Sequence, residues 1–124
     1  MSVLLHLSDT HFGTERAQVI EALLALAARE RPEVAVLSGD ITQRARPAQF
    51  RAAKAFVDRL RAPVLAVPGN HDIALFDLWA RLTRPYARYA RVFGAELEPV
   101  HSSPELLGIG VNTTRAWRHK NGEV

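Results

Sequence analysis

The chain has 124 residues, no cysteine, 16 basic and 13 acidic residues, and a formal net charge of +3. A chain of this length can bury one hydrophobic core, and an apolar fraction of 48% argues against intrinsic disorder. The absence of cysteine excludes thiolate metal sites and cysteine nucleophiles. No apolar segment reaches the roughly 18 residues of a membrane span, and the N-terminus lacks the features of a signal peptide, so we expect a cytoplasmic protein.

Arginine accounts for 14 of the 16 basic residues, and the arginines are spread along the chain without a dense basic block. Most of them fall on or beside predicted helices, where a solvated helix face is the common arrangement. The charge pattern by itself therefore gives no strong indication of a nucleic-acid-binding surface.

Three short apolar segments predict three buried strands. They cover Val3 to Leu7, Val34 to Leu37 and Pro63 to Val67, and each ends at a polar turn. His6 interrupts the first segment, on the opposite side of the pleat from its neighbouring leucines. We interpret His6 as a sheet residue rather than as a ligand.

A helical pattern follows each of these strands. The first helix is predicted from Glu15 to Glu30, the second begins at Pro47, and the third runs from Ile73 to Leu82, before Pro85. The inner faces are predicted at Val19, Ile20, Leu23, Leu24 and Ala27, at Phe50, Ala53, Phe56, Val57 and Leu60, and at Leu75, Leu78, Trp79 and Leu82. The order βαβαβα predicts an α/β fold with a parallel sheet and right-handed crossovers.

Two further strands are predicted after Gly94, at Glu98 to His101 and at Leu106 to Val111. No crossover helix separates them, so we expect antiparallel pairing. His101 and His119 belong to no motif, and we expect both on the surface or in loops. The chain shows no linker, and we treat residues 1–124 as one domain.

Polar motifs follow each of the three predicted parallel strands. They lie at Asp9 to His11, at Gly39 to Arg44 and at Gly69 to Asp72. Because ligands of open α/β sheets bind outside the carboxyl ends of the strands, we expect the three motifs to converge on one edge. In an extended segment, Asp9 and His11 would point the same way and present an oxygen and a nitrogen to one point.

These residue types have the chemistry of metal ligands. Asp40 has two carboxylate oxygens and can bridge two cations, while Gly39 and Gly69 leave room for Asp40 and Asn70 to approach closely. Carboxylate, imidazole and amide groups suit Mn²⁺, Fe or Zn²⁺ better than Ca²⁺. The alternative is structural, because Asp and Asn after strands also form turns and helix caps. Three such motifs with two histidines favour the metal site.

The ordered motifs LSDTHFG, SGDITQR and PGNHD, at residues 7–13, 38–44 and 68–72, resemble those of the calcineurin-like metallophosphoesterase superfamily. Within it, the chain most resembles the bacterial cyclic-nucleotide phosphodiesterase-like branch. The resemblance implies the start of a four-layer β-sandwich flanked by helices. It also implies two divalent metal ions, Mn, Fe or Zn, as cofactors, and a metal-activated water that hydrolyses a phosphoester.

The resemblance assigns roles to individual residues. His71 would be the catalytic histidine, and Arg44 would contact the phosphate, the surroundings of the metals or a neighbouring carboxylate. The implied metal ligands are Asp9, His11, Asp40 and Asn70, with Asp40 as the bridge.

Two departures from the family pattern bear on function. Gln43 stands where the protein-phosphatase branch has an aspartate that pairs with the catalytic histidine, which argues against a protein phosphatase, and Asp72 is the candidate replacement. The glycine–histidine motifs that supply further metal ligands do not occur after Asp72. We therefore expect the N-terminal part of a longer enzyme, with an exposed sheet face that favours association.

Three functions remain open from the sequence. The first is a metal-dependent phosphoesterase that acts on a small phosphodiester or phosphomonoester, with cyclic nucleotides as the favoured substrate. The second is a catalytically incomplete fragment or binding module that keeps a weak metal site. The third is a nuclease of the same superfamily.

Overall fold

Three parallel strands alternate with helices in the computed structural model, which describes residues 1–74 and 77–115. The sheet has the order β1-β2-β3, and its register places Leu5 opposite Ala35 and Ala35 opposite Val64. The elements are β1 Leu4–Ser8, α1 Ala17–Glu30, β2 Val34–Ser38, α2 Pro47–Leu60 and β3 Val64–Ala66. The predicted α/β class and parallel sheet are confirmed.

One face of the sheet carries the hydrophobic core, beneath α1 and α2. The predicted inner face of α2 is confirmed, with Val57 only half-buried; its buried members are Phe50, Ala53, Phe56 and Leu60. In α1, Ala27 is buried and the predicted leucines pack against the core, but Val19 is 52% exposed. Val19 borders an open groove beside β1, which is an edge strand, so no further element covers that side among the described residues.

The opposite face of the sheet is largely open in the part of the chain that the structure describes. Leu4, His6 and Ser8 alternate along this face of β1, and all three are exposed. The prediction of a buried strand is therefore right for Leu7 and wrong for Leu4, which is 44% exposed, and for Val3. His6 is a sheet residue as predicted, with its Nε2 atom 2.7 Å from the Ser38 hydroxyl.

The predicted third helix is replaced by shorter elements. A single 3-10 turn covers Asn70–Asp72, and two helices follow as α3, Leu78–Thr83, and α4, Ala87–Phe93. Contrary to the prediction, Leu78, Trp79 and Leu82 are 69%, 79% and 73% exposed; Leu75 lies outside the described residues. The physical reason is that α4, rather than α3, fills this part of the core, since its Tyr89 packs against Phe50.

The last two strands form an antiparallel hairpin, as predicted, but as a separate two-stranded sheet. They are β4, Val100–Ser102, and β5, Leu107–Ile109. The hairpin lies against β3, where a Cβ atom on Gly108 would lie 3.2 Å from Leu65 Cδ1. It therefore covers one edge of the open sheet face.

A carboxylate ties this hairpin to the start of β2. The Oε1 atom of Glu33 lies 3.1 Å from His101 Nε2, and the Ser2 hydroxyl donates to Oε2. Hydrogen bonds from Ser103, Ser2 and His101 lower the pKa of Glu33 to about 2. His101 is thus a half-buried residue of the predicted strand with a carboxylate partner, rather than a surface or loop residue as expected; His119 lies outside the described residues.

No helix within the described ranges is both long and apolar enough to cross a membrane.

Tyr89 places a polar atom in the core. Its side chain is fully buried, its hydroxyl has no hydrogen-bond partner among the described residues, and burial raises its pKa above the ordinary value. Because an unsatisfied buried hydroxyl destabilises the folded state, Tyr89→Phe should raise the free energy of unfolding by about 1 kcal/mol. Urea denaturation followed by circular dichroism measures this change.

Tyr86→Phe is the matched control for that substitution. The Tyr86 hydroxyl lies 2.8 Å from Thr114 Oγ1 and 3.2 Å from the Thr114 carbonyl oxygen, so its loss should lower the free energy of unfolding by about 1 kcal/mol. If both variants changed the free energy of unfolding in the same direction, the assignment of one unpaired and one hydrogen-bonded hydroxyl would be contradicted.

Candidate metal centre

The loops that follow β1 and β2 lie side by side beyond the strand ends. The Asp9 N–H donates to the Ser38 carbonyl over 3.0 Å, and the His11 N–H donates to the Asp40 carbonyl over 3.0 Å. A parallel bridge then joins Phe12 to Thr42. These bonds continue the strand pairing into the loops and hold the first two motifs against each other.

Asp9 and His11 have left-handed backbone conformations, with φ values of 56° and 46°. The prediction of an extended segment over these residues is therefore wrong. Each such residue costs on the order of 1 to 3 kcal/mol and persists only where its surroundings enforce it. Here Phe12 supplies an anchor, since its side chain is buried and its ring lies 5.6 Å from that of Phe56.

Two glycines allow the three loops to approach closely, as predicted. Gly39 has φ of 69°, and a Cβ atom there would lie 2.5 Å from Asp9 Oδ1. A Cβ atom on Gly69 would overlap Asp40 Oδ1 and lie 2.5 Å from the Gly39 carbonyl oxygen. Any side chain at either position would push the acidic residues away from the loop that faces them.

His11, Asp40 and His71 form a compact group of ligand atoms. One such atom from each residue lies within 4.8 Å of the others. The Nε2 atoms of both histidines are 3.9 Å from Asp40 Oδ2, and the two rings meet edge to face with centroids 5.4 Å apart. The three motifs therefore converge on one edge of the sheet.

The His71 ring is held by a backbone carbonyl. Its Nδ1 atom lies 2.7 Å from the Gln43 carbonyl oxygen, and its main-chain N–H donates to Asp40 Oδ1 over 2.9 Å. A carbonyl oxygen can only accept, so Nδ1 carries the hydrogen and Nε2 faces the centre. The carbonyl contact could not be read from the sequence, because every residue has one.

Asp9 and Asn70 lie beside this group rather than within it. Asp9 Oδ1 accepts the Asp40 N–H over 3.2 Å, and the Ser8 hydroxyl donates to Asp9 Oδ2. The Ser8 hydrogen bond, followed by that of the Asp40 N–H, holds the pKa of Asp9 below its usual value. Both Asp9 and Asn70 line a cavity of about 500 Å³ that opens from Asp40 along the uncovered sheet face.

Asp72 does not pair with the His71 ring, so its expected role as a replacement carboxylate is wrong. Its buried side chain accepts backbone N–H bonds from Ile41, Thr42 and Gly69 at 3.0, 2.7 and 2.8 Å. The Thr42 hydroxyl donates a fourth bond over 2.8 Å. Burial raises the pKa of Asp72 to about 6, against the opposing effect of these four bonds. Asp72 thus ties the second motif to the third.

Arg44 lies at the exposed rim of the centre. Its main-chain N–H donates to Gln49 Oε1 over 2.8 Å, which fixes the loop at the start of α2. It follows Gln43, whose carbonyl orients His71.

Residues 2–112 match the family model described as calcineurin-like phosphoesterase. The chain belongs to this family. It is also 39% identical to the glycerophosphodiester phosphodiesterase GpdQ of Enterobacter lignolyticus (strain SCF1), over 56% of this chain and 29% of that enzyme. The chain therefore spans less than a third of this relative, and its family places it among the metallophosphoesterases.

Members of this family typically bind divalent metal ions, and the residues present fit such an ion. His11 Nδ1 is buried without a hydrogen-bond partner among the described residues, and Nε2 reaches only to 3.9 Å from Asp40. Buried ring nitrogens normally have a hydrogen-bond partner, so the His11 imidazole has a nitrogen available to bind a metal ion. An imidazole with a carboxylate suits Zn²⁺, Mn²⁺ or Fe.

Proposed function

We propose that the protein containing this chain hydrolyses a small phosphodiester at a centre for two divalent metal ions. The observation that carries the proposal is the convergence of His11, Asp40 and His71 within 4.8 Å. The likeness to GpdQ, a glycerophosphodiester phosphodiesterase, supports a diester, and we propose cyclic nucleotides and glycerol phosphodiesters as the first substrates to examine. Because the aligned segment is only 29% of that relative, we propose that further ligands come from residues outside this chain.

The carboxylate ligands are oriented before any ion binds. Asp40 Oδ1 is engaged by the His71 N–H, which leaves Oδ2 directed between the two histidines. We assign Asp9, His11, Asp40 and Asn70 as ligands, with Asp40 shared between two ions. When bound, the metals would polarise the phosphoryl oxygens and lower the pKa of the attacking water.

The protein supplies the proton and the orientation of the substrate. We assign His71 as the proton donor to the leaving oxygen: in the imidazolium form Nδ1–H stays on the Gln43 carbonyl, and Nε2, which faces the centre, gives up its proton to leave the neutral Nδ1–H ring. Arg44 at the rim would bind a non-bridging phosphate oxygen through its guanidinium group. The second and third motifs thus supply one proton donor and one anion binder.

The test is hydrolysis of bis(p-nitrophenyl) phosphate with added Mn²⁺, together with Mn²⁺ binding by calorimetry. Asp40→Asn should lower kcat/KM by about a hundredfold or more, because it removes the shared ligand. The matched control is Asp58→Asn, since Asp58 is exposed and pairs only with Lys54 over 3.1 Å among the described residues; it should leave the rate unchanged.

Equal rates for wild type and Asp40→Asn would overturn the enzymatic proposal for this chain. Mn²⁺ binding that depends on Asp40 without any hydrolysis would instead support the incomplete module. Restoration of activity by Mn²⁺ after chelation would support the phosphoesterase.

A further inference from the structure

Four arginines line two adjoining grooves beside the metal centre. Arg51 comes from α2, Arg84 follows α3, and Arg88 and Arg91 lie on α4. The larger groove has a volume of about 370 Å³ and is also lined by Trp79, and the smaller has about 150 Å³. Arg88 and Arg91 border both grooves, so we treat the two grooves as one and call it the arginine groove.

The arginine groove carries more positive charge than the carboxylates of the described residues balance. Arg88 Nη2 lies 3.4 Å from Asp77 Oδ2, but no carboxylate of residues 1–74 and 77–115 lies within 4.0 Å of Arg51, Arg84 or Arg91. Four guanidinium groups against one carboxylate leave a formal charge of +3, which equals the net charge of the whole chain. A concave surface of one sign concentrates ligands of the opposite sign.

An exposed aromatic side chain adjoins these charges. Trp79 is 79% exposed at the larger groove, on a helix whose Leu78 and Leu82 are also exposed. A solvated arginine face does not account for a tryptophan with this exposure. Arginine together with an exposed indole is the combination that binds phosphates and stacks on bases.

The arginine groove begins where two of the three motif loops end. Arg88 Nη1 donates to the Ala45 carbonyl over 3.4 Å, one residue after Arg44. Ala74, which lines the larger groove, is two residues after Asp72. A chain of phosphates lying in the arginine groove would therefore lead towards the metal centre.

We propose that the arginine groove binds single-stranded nucleic acid, with phosphates on Arg84 and Arg91 and a base stacked on Trp79. Residues three apart on a helix lie about 5 to 6 Å from each other, so Arg88 and Arg91 are neighbours on α4, and Arg84 lines the larger groove with them from the segment before that helix. A single strand suits this site better than a duplex, because only an unpaired base offers its flat face to an indole. This binding does not require the hydrolysis proposed above.

The test is the fluorescence anisotropy of a fluorescein-labelled oligothymidylate titrated with the whole chain in EDTA. The double variant Arg84→Gln, Arg91→Gln should weaken binding and reduce the slope of log K against log salt by about 1.4, for two lost phosphate contacts. Trp79→Ala should weaken binding about fivefold or more through the lost stacking. All three side chains are exposed, so circular dichroism should show an unchanged fold.

The matched control is the double variant Arg29→Gln, Arg61→Gln, which removes two exposed arginines at the far ends of α1 and α2. Unchanged binding by this control and by Asp40→Asn supports the arginine groove independently of the metal centre. The proposal is overturned if the wild type does not bind, or if the control loses as much affinity as the groove variant. It is also overturned if tripolyphosphate competes equally well and Trp79→Ala binds normally.

Discussion

Asp72→Ala is expected to lower the free energy of unfolding by about 4 kcal/mol, because it leaves several buried donors without an acceptor. The Asp72 carboxylate accepts the N–H groups of Ile41, Thr42 and Gly69 and the Thr42 hydroxyl, and it is 1% exposed. These donors belong to two different motif loops. Urea denaturation followed by far-ultraviolet circular dichroism measures the loss.

Asp77→Ala is the control for this substitution. Asp77 is an exposed aspartate whose Oδ1 atom accepts the Ala80 N–H over 3.0 Å at the start of α3, so its removal should cost about 1 kcal/mol. A loss for Asp72→Ala no larger than this would mean that the buried hydrogen bonds contribute little to the joining of the loops.

Gly69→Ala is expected to lower the free energy of unfolding by about 3 kcal/mol and to abolish Mn²⁺ binding. The added methyl group would overlap Asp40 Oδ1, which accepts the His71 N–H, and would also meet the main chain of Gly39, which cannot turn aside as a side chain can. The loops must therefore separate, and Asp40 must leave its position between the histidines. Calorimetric titration of Mn²⁺ and urea denaturation report the two effects.

Gly94→Ala is the control that separates the effect of atomic overlap from the effect of a strained backbone conformation. Gly69 has an ordinary negative φ of −101°, whereas Gly94 has φ of 87° and open space around an added Cβ. Because its ψ of 168° places Gly94 in a region that essentially only glycine occupies, the control should cost about 1 to 3 kcal/mol and leave metal binding intact. Equal behaviour of the two variants would show that the close approach of the loops is not what Gly69 provides.

Hydrophobic periodicity predicted most of the fold. The helix that begins at Pro47 and the parallel strands followed from the spacing of apolar residues and from helix start and stop signals. The prediction of the third helix was wrong because periodicity shows which residues could face a core but not which of two helices packs against it. Tyr89 of α4 fills that space, and Trp79 remains exposed.

The candidate site was predictable at the level of topology. Motifs that follow parallel strands meet at one edge, and the structure brings His11, Asp40 and His71 together there. The left-handed backbone at Asp9 and the contacts of Asp72 were not predictable, because both depend on bonds between loops that are far apart in sequence. For the same reason, arginines scattered along the sequence gave no sign of the arginine groove.

The bridge between Phe12 and Thr42 has a consequence for folding. His11 and Asp40, and likewise Asp40 and His71, are separated by about thirty residues, and closing segments of that length costs entropy that is recovered when the strands pair. A disordered chain can therefore hold no partial version of the centre. Strand pairing and assembly of the metal ligands occur as one cooperative event, and an ion that binds these ligands stabilises the sheet itself.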